Sequence, residues 1–317
     1  MLFCGIDTSN YTTSAALCNE SGKILANIKI PLPVKEGERG LRQSDAVFAH
    51  IKNLPAATAD LQRVLRESGD ELAAVAVSTQ PRDEEGSYMP CFLSGVASAE
   101  MLAVGANAPL YRTSHQQGHI MAAYATSGAE EARLLEKYGK FIAFHVSGGT
   151  SEMLLVSPGS ERVFDVEIIG ETLDLNCGQA VDRAGVMMGI PFPCGKELEA
   201  LALRSDKVFN PKICVKDGKC SLSGLENQCR KMLESGESKE DVSRYCLDFI
   251  CKTLEKMTEY ALSEYGNLPL VFAGGVMSNS IIRNKIQSRF GASFAQPDFS
   301  CDNAAGVAIL AGRAFNE

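Results

Sequence analysis

The chain is 317 residues long and carries 31 basic and 39 acidic side chains, a formal charge of −8. Hydrophobic residues make up 45% of it and charged residues 22%, which excludes a wholly disordered chain, and no apolar run approaches the ~18 residues of a membrane span. The acidic balance argues against a protein that holds nucleic acid unaided through a broad basic face of its own.

The first half of the chain predicts the element order β-β-β-α-β-α-β-α. Turn-forming Ser, Asn and Gly residues separate its three opening strands, and the first helix, over about 44–68, is expected to be interrupted near Pro55. In chain order the segments are the strands "LFCGIDTS", "TTSAALCN" and "ILANIKI", that helix, the strand "LAAVAVST", a helix over about 92–106, the strand "PLYRTS" and a helix that opens with "HQQGHIMAAYA".

The second half starts the same order again after a polar stretch. Duplicated α/β halves predict two lobes, 1–128 and 129–317, with the final helix 303–317 returning to the first lobe, and ligands at the carboxyl ends of the strands. A single doubly wound sheet is the alternative. The segments are the strands "FIAFHVSGG", "SEMLLVSPG" and "RVFDVEIIG", the helix "NCGQAVDRAGVMMGI", a long helix over 239–265, the strand "LPLVFAGGV", the helix "SNSIIRNKIQSRF", the strand "ASFAQP" and the helix "DNAAGVAILAGRAF".

Eleven cysteines are spread along the chain. Their spacing contains no Cys-x-x-Cys pair, which argues against a zinc ribbon. The N-terminus also lacks the charged-then-apolar layout of a signal peptide. We therefore expect free thiols in a reducing compartment, the cytoplasm, and no membrane association.

Three turns that follow predicted buried strands are candidate phosphate sites. The turn after the first strand contains Asp7 and Thr8, whose neighbouring hydroxyls and backbone amides could accept a phosphate, while Asp7 could hold a metal ion through water. Glycines in the other two turns let backbone approach a ligand closely. Any one of the three could be an ordinary β-turn, but their distribution over both halves favours a nucleotide-binding cleft. The other two turns are Ser147, Gly148, Gly149 and Thr150, and Gly274 and Gly275.

Two of the four histidines, His115 and His119, are spaced i, i+4 in "SHQQGH". On a helix this spacing puts both imidazoles on one face, within reach of a single metal ion. No glutamate follows His115, so the zinc-protease motif is absent. His145, at the end of a predicted strand, and Asp302, near the start of the last helix, could add a nitrogen and a carboxylate ligand. Helix-end caps, surface residues and a buried structural histidine are the alternatives.

Seven ordered segments together resemble one known family. The chain resembles the tRNA threonylcarbamoyladenosine transferases (TsaD-like, once named glycoprotease or O-sialoglycoprotein endopeptidase), which belong to the two-lobed α/β fold of actin, Hsp70 and sugar kinases. The resemblance runs nearly end to end. Its segments are "GIDTSNYTTSAAL", "SHQQGHI", "VSGGTSEMLLV", "GETLDLNCGQAVDRAGVMMGIPFPCGKELEALA", "SLSGLENQ", "AGGVMSNSIIR" and "SCDNAAGVAIL".

The resemblance implies roles for individual residues. It implies metal ligands at His115, His119 and Asp302, with His145 standing where archaeal and eukaryotic relatives often have a tyrosine. Imidazole is the better ligand for a borderline metal such as Fe²⁺ or Zn²⁺. The resemblance further implies phosphate contacts from Ser147, Gly148 and Gly149, and ribose or base contacts from Asp182, Gly195 and Asn279.

The chain departs from the family at an acidic pair of the opening loop. The family has adjacent Asp and Glu where this chain has Tyr11 and Thr12, and a glycine-rich loop is replaced by "PRDEEGSYMP". We take Asp7 and Thr12 as the candidate catalytic residues of this loop. Three acidic residues of the replaced segment could compensate for the missing pair, although an exposed acidic run is ordinarily a solvated loop: Asp83, Glu84 and Glu85.

The first functional hypothesis is metal-assisted transfer of a threonylcarbamoyl group from its adenylate to adenosine in tRNA. The expected ligands are one divalent transition metal and ATP or threonylcarbamoyl-AMP, with Mg²⁺ as an accompanying ion. The negative charge implies partner proteins that help to hold tRNA, and a homodimer or a heterodimer with a related subunit. The second hypothesis is a diverged paralogue that binds nucleotide and metal as a partner subunit. The third, from the fold alone, is carbamoyl or phosphoryl transfer to another acceptor.

Overall fold

The structure is a computed structural model that describes residues 1–9, 11–33, 41–129, 133–159, 163–300 and 304–316. The chain divides into two compact units. The first comprises the described residues of Met1–Thr126, Gly159–Asp165 and Cys301–Glu317, and the second those of Ser127–Pro158 and Val166–Ser300.

The described residues form strands and helices in both units. The strands are β1 (Leu2–Asp7), β2 (Thr12–Asn19), β3 (Ile24–Pro31), β4 (Leu72–Gln80), β5 (Leu110–Ser114), β6 (Phe141–Val146), β7 (Ser151–Pro158), β8 (Phe164–Glu171), β9 (Cys214–Lys216), β10 (Lys219–Ser221), β11 (Leu270–Ala273) and β12 (Ser293–Phe294). The α-helices are α1 (Gln43–Ser68), α2 (Phe92–Ala106), α3 (His115–Thr126), α4 (Leu134–Tyr138), α5 (Cys177–Met187), α6 (Gly195–Ala202), α7 (Ser223–Glu234), α8 (Lys239–Tyr265), α9 (Ser280–Phe290) and α10 (Ala305–Asn316).

The sheet of the first unit has the strand order β3-β2-β1-β4-β5. β1 is antiparallel to β2 and parallel to β4, and β5 is parallel to β4. The carboxyl ends of these three parallel strands therefore meet at one edge of the sheet. Asp7 ends β1, Ser78 lies near the end of β4, and Ser114 ends β5.

β1 is buried along its whole length, because helices cover both faces of the sheet. Cys4 and Ile6 point into a cluster with the apolar residues of α1 and α2. On the other face, a side chain at Gly5 would lie 2.3 Å from the backbone nitrogen of Ala308, so α10 packs directly on β1. The strand thus alternates between two helical layers with a period of two residues.

α1 is continuous, so the prediction of an interruption at Pro55 is wrong. A proline leaves the carbonyl four residues earlier without its helical donor, but Ile51 and Pro55 are both exposed, and water can reach that carbonyl. Leu54, Ala57 and Leu61 are buried against the sheet and keep both halves of the helix in place.

The sheet of the second unit repeats the first. Its order, β8-β7-β6-β11-β12, corresponds strand by strand to β3-β2-β1-β4-β5, with β6 antiparallel to β7 and parallel to β11. The predicted duplicated α/β architecture is confirmed, and the single doubly wound sheet is wrong. The core of this unit lies between the sheet and α5–α9. The predicted strand "ASFAQP" is shortened to β12, because only two of its residues pair with β11.

None of the helices in the described ranges combines the length and the apolar character that crossing a bilayer requires. The cysteines in those ranges are free thiols, and all of them except Cys214 are buried.

α10 also approaches α3 at backbone distance. A side chain at Gly306 would lie 1.9 Å from the carbonyl oxygen of Gly118, and a side chain at Gly118 would lie 2.8 Å from Val307. Only glycine allows the two helices to touch here. Gly118 stands between His115 and His119, so this crossing fixes the turn of α3 that carries the histidine pair.

We expect Gly306→Ala to lower the free energy of unfolding by about 1–3 kcal/mol, the usual cost of overpacking. Elsewhere in a helix the same substitution stabilises by about 0.5–1 kcal/mol. Gly105→Ala, at an exposed position of α2 where an added Cβ meets nothing within 4 Å, is the matched control. Urea unfolding followed by circular dichroism measures both variants. A Gly306→Ala protein as stable as the control would contradict the described crossing.

Candidate functional site

Asp7, at the end of β1, is fully buried and accepts three hydrogen bonds. Its Oδ1 accepts from the backbone nitrogen of Ser9 at 2.8 Å, and its Oδ2 accepts from Ser78 Oγ at 2.7 Å. The third bond joins Oδ2 to His115 Nδ1 at 2.8 Å. The parallel register of β1 and β4 brings Ser78 beside Asp7, and α3 begins directly after β5 with His115.

The environment of Asp7 favours its ionised form. Burial by itself raises the pKa of the carboxyl, but the charge of His115 and the hydrogen bonds from His115, Ser78 and Ser9 outweigh it, so the pKa lies below its ordinary value. An ionised carboxylate only accepts hydrogen bonds, so His115 donates to it through Nδ1–H. In a neutral imidazole this leaves the lone pair on Nε2.

The two imidazoles of α3 converge at their Nε2 atoms, which lie 2.9 Å apart. The ring planes are nearly perpendicular, and Phe92 packs edge-on against His115. Bonds of about 2.0–2.1 Å from both nitrogens can reach one ion, so the pair could supply two ligands to a transition metal. Within the described ranges, no group of three His, Cys, Asp or Glu side chains forms a complete metal site. The predicted third ligand, Asp302, lies outside the described residues.

The segment 81–90, "PRDEEGSYMP", contacts the start of α3. Ser114 Oγ donates to Asp83 Oδ2 at 3.0 Å and accepts from the backbone nitrogen of Gln117 at 3.1 Å. The carbonyl of Pro81 accepts from the nitrogen of Gln116. Asp83 is half-buried, whereas Glu84 and Glu85 are exposed. Of the three acidic candidates, Asp83 is therefore the one that contacts the residue before His115.

Other residues of the opening loop make structural contacts. Thr8 is buried, and its hydroxyl donates to the carbonyl of Cys91 and accepts from the nitrogen of Gly95, which anchors the start of α2. Thr12 begins β2 and is half-buried, whereas Tyr11 is exposed. The Thr8 hydroxyl therefore already has two hydrogen-bond partners within the protein.

Among the residues that the structure describes, two buried polar atoms beside this loop find no hydrogen-bond partner: Ser9 Oγ and His50 Nε2. His50, on α1, lies with Nδ1 2.8 Å from Thr13 Oγ1. Burial lowers the pKa of His50, although the Asp7 charge and the Ser9 backbone oppose that shift. Sequence reasoning missed His50, Ser78 and Ser114. For the two serines the signal was available, because each lies near the end of a strand parallel to β1.

In the second unit, the turn after β6 has two exposed glycines. Ser147 Oγ accepts from the backbone nitrogens of Gly149 at 3.2 Å and Thr150 at 3.1 Å, which closes the turn. Gly148 and Gly149 are exposed at its tip. Because the tip carries no side chains, a ligand can approach its backbone closely.

Glycines of two other segments hold this turn in place. A Cβ at Gly178, in the first turn of α5, would lie 2.6 Å from the nitrogen of Gly148. A Cβ at Gly274, which has a φ of 100°, would lie 2.2 Å from the carbonyl oxygen of Val146. The turns at 147–150 and 274–275 therefore lie side by side at the carboxyl ends of β6 and β11. Gly178 was not among the predicted residues.

The predicted ribose and base residues also lie in the second unit. Asp182 is half-buried, its Oδ1 accepts from the nitrogen of Cys194 at 2.8 Å, and burial raises its pKa. The described residues give its Oδ2 no hydrogen bond. Gly195 begins α6 and is exposed. Asn279 Oδ1 caps α9 by accepting from the nitrogens of Ile281 and Ile282.

His145 ends up in the second unit, whereas His115 and His119 belong to the first. It is buried on β6, opposite Ala273 of β11 and Glu152 of β7. Its assignment as a fourth metal ligand stays a prediction.

Solved structures that resemble this chain belong to the predicted fold class. Full-length HypF in its phosphate- and nucleotide-bound form has a TM-score of 0.63 at 14% identity; the match covers 99% of this chain and 56% of HypF. A ROK family glucokinase from Streptomyces griseus, in complex with glucose and AMPPNP, has a TM-score of 0.52 at 14% identity, with 99% and 100% covered. At these identities the likeness concerns the fold, and the predicted actin and sugar-kinase class is confirmed.

Sequence relatives identify the family, which the solved structures do not. Curated tRNA N6-adenosine threonylcarbamoyltransferases are similar over nearly the whole chain. The protein from Thermosipho africanus is 28% identical over 100% of this chain and 95% of its own length, and that from Thermofilum pendens 27% over 98% and 88%. The protein from Streptococcus mutans is 30% identical over 89% and 82%.

A model of the TsaD family, described as tRNA N6-adenosine threonylcarbamoyltransferase, matches residues 23–309. This match spans both units and every predicted site residue after the opening loop. The chain therefore belongs to the TsaD family of tRNA N6-adenosine threonylcarbamoyltransferases.

Proposed function

We propose that this chain transfers a threonylcarbamoyl group from threonylcarbamoyl-adenylate to the exocyclic amine of adenosine in tRNA, with one divalent transition metal ion, Fe²⁺ or Zn²⁺, held by His115 and His119. The new bond joins the carbamoyl carbon to the amine nitrogen, the bond to the phosphate oxygen breaks, and AMP leaves. Family membership supports the reaction class. The observation that carries the metal is the convergence of two Nε2 atoms beside a buried carboxylate.

The metal would be held by the turn of α3 that contacts α10. Asp302, three residues before α10 begins, is the proposed carboxylate ligand, and His145 the proposed fourth one. When bound, such an ion polarises carbamoyl or phosphate oxygens as a Lewis acid. The task of the chain's own residues is to present lone pairs in a fixed direction, which the Asp7 and Gly118 contacts support.

The second unit would hold the adenylate or ATP, with Mg²⁺ accompanying ATP. We assign the phosphates to the turn of Ser147, Gly148, Gly149 and Thr150, whose two exposed glycines let an anion approach the backbone. The adjoining turn of Gly274 and Gly275 would approach the ligand through backbone. Asp182 Oδ2 is the acceptor that suits the ribose hydroxyls. Gly195 and Asn279 are the remaining proposed contacts.

The roles of Asp7 and Thr12 differ in this proposal. Asp7 is buried and bonded to His115, so it would act on the metal ligand rather than on the substrate. Thr12 occupies one position of the family's acidic pair but carries no charge at neutral pH. Asp83, bonded to Ser114 beside the histidine turn, is the acidic side chain that could supply the missing charge.

We further propose that partner proteins bring the tRNA, in the cytoplasm. A net charge of −8 disfavours unaided binding to a polyanion. The outer faces of α1 and α2 also present apolar side chains that are each more than half exposed, which suits a contact with a second copy or a related subunit. These side chains are Phe48, Ile51, Leu93, Met101 and Val104.

The second candidate function is that of a diverged paralogue, which would bind nucleotide and metal as a partner subunit or transfer a carbamoyl or phosphoryl group to another acceptor. The argument for it is that Tyr11 and Thr12 stand where the resemblance places an acidic pair in the family. Loss of one positioned catalytic group typically costs about 10²–10⁴-fold in rate.

Purified wild-type protein is expected to retain one transition metal ion per chain, and His115→Ala/His119→Ala to retain none. Mass spectrometry of the metals in gel-filtered protein measures both. Thr126→Ala, at the far end of α3, is the control and should retain the ion. Full retention by the double variant would exclude the histidine pair as ligands.

Asp182→Asn should weaken binding of ATP or its analogues by about 1.5–3 kcal/mol, or roughly 10–150-fold in Kd. The variant keeps an oxygen that can accept the hydrogen bond from the backbone nitrogen of Cys194, but it loses the charge that would face the ribose. Calorimetry with an ATP analogue measures the affinity, and Asp206→Asn, at an exposed aspartate, is the matched control. Equal affinity in the variant and the control would remove Asp182 from the nucleotide site.

The decisive test of the function is transfer to tRNA. The wild type and Tyr11→Asp/Thr12→Glu are each given threonylcarbamoyl-adenylate and tRNA, with and without the host's partner proteins, and modified adenosine is quantified by mass spectrometry. We expect wild-type transfer to be weak without partners and the double variant to be faster, because it restores the acidic pair.

The other outcomes discriminate between the two candidate functions. An inert wild type beside an active double variant would identify a diverged paralogue. Strong wild-type transfer that the double variant does not improve would show that the acidic pair is dispensable, and would direct attention to Asp83.

A further inference from the structure

The contact of Asp7 with His115 bears directly on the proposed metal site. Asp7 is not within the metal-ligand set that the resemblance implies, yet its Oδ2 lies 2.8 Å from Nδ1 of His115. The Nε2 of the same ring faces Nε2 of His119. His115 therefore lies between a buried carboxylate and the place where the proposed ion would bind.

We infer that Asp7 is a positioning residue, which fixes His115 in the tautomer protonated at Nδ1 and so keeps its Nε2 lone pair available to a metal ion. This inference rests on the proposed metal site. Histidine ligands commonly donate their second ring N–H to a carboxylate, which sets the ring orientation and raises the basicity of the ligand.

The surroundings of Asp7 leave the carboxylate one orientation. Ser9 N–H points at Oδ1, and Ser78 Oγ donates to Oδ2, the atom that also meets His115. Asp7 and Ser78 are both fully buried, so water does not compete for these bonds. A rigid acceptor on a central strand thus faces a ring at the first residue of α3.

This arrangement makes Asp7→Asn an informative variant. Ser9 N–H needs an acceptor, so the amide oxygen is expected at the Oδ1 position, and the amide nitrogen takes the position of Oδ2. That nitrogen donates to Nδ1 of His115. The imidazole must then carry its proton on Nε2, where the lone pair for the metal would otherwise be.

The first test reads the tautomer directly. Nitrogen-15 chemical shifts of histidine-labelled, metal-free protein distinguish a ring protonated at Nδ1 from one protonated at Nε2. We expect the Nδ1 form for His115 in the wild type and the Nε2 form in Asp7→Asn, with the signal assigned from its loss in His115→Gln. A wild-type His115 protonated at Nε2 would overturn the inference, even if the Asn variant did not fold.

The second test measures affinity for Zn²⁺ and Co²⁺ by competition with a chelator. We expect Asp7→Asn to bind about 10–100-fold more weakly than the wild type, the usual effect of losing such a partner. Asp60→Asn, at an exposed aspartate, controls for the charge change.

The outcomes separate the inference from the proposed function. A wild type that binds neither ion would refute the proposed metal site. The tautomer of His115, measured in metal-free protein, would then still confirm or refute the contact with Asp7. A wild type that binds metal and an Asp7→Asn variant that binds it equally well would refute the positioning role and leave the metal site intact.

Discussion

The hydrogen bond between Asp7 and His115 links the fold of the first unit to its candidate chemistry. The carboxylate lies at the end of a strand that is buried on both faces, and the ring lies at the first residue of α3. Because β1, β4 and β5 run in parallel, their carboxyl ends place Asp7, Ser78 and Ser114 at one edge of the sheet. The convergence of the two imidazoles depends on this edge and on the turn of α3 that follows it.

Close backbone packing against α10 also fixes the turn of α3 that carries His115 and His119. Gly306 of α10 touches Gly118, which lies between the histidines, while Ala308 of the same helix lies against Gly5 of β1. One helix thus fixes both the strand that ends at Asp7 and the helix that carries the imidazoles. A larger side chain at Gly5 or Gly306 would separate the layers, because its nearest neighbours are backbone atoms that cannot move aside.

Much of the fold follows from the sequence, since the strand runs and the repeated β-β-β opening predict the two equivalent sheets. The predicted interruption of α1 at Pro55 was wrong, because burial of Leu54, Ala57 and Leu61 stabilises the helix by more than the lost hydrogen bond costs. The hairpin of β9 and β10 was missed although Asp217-Gly218, both at positive φ, is a recognisable turn. In the site, the i, i+4 spacing predicted the paired histidines, whereas Ser78 lies 71 residues from Asp7 and only the strand register brings it there.

We propose that His115 and His119 bind a metal ion in this member of the TsaD family. X-ray absorption at the metal edge of the loaded protein tests it most directly, because scattering from imidazole rings identifies histidine ligands. We predict at least two imidazoles with metal–nitrogen distances of about 2.0–2.1 Å, and their loss in His115→Ala/His119→Ala. A metal shell without imidazole, or a spectrum unchanged in the double variant, would contradict the account.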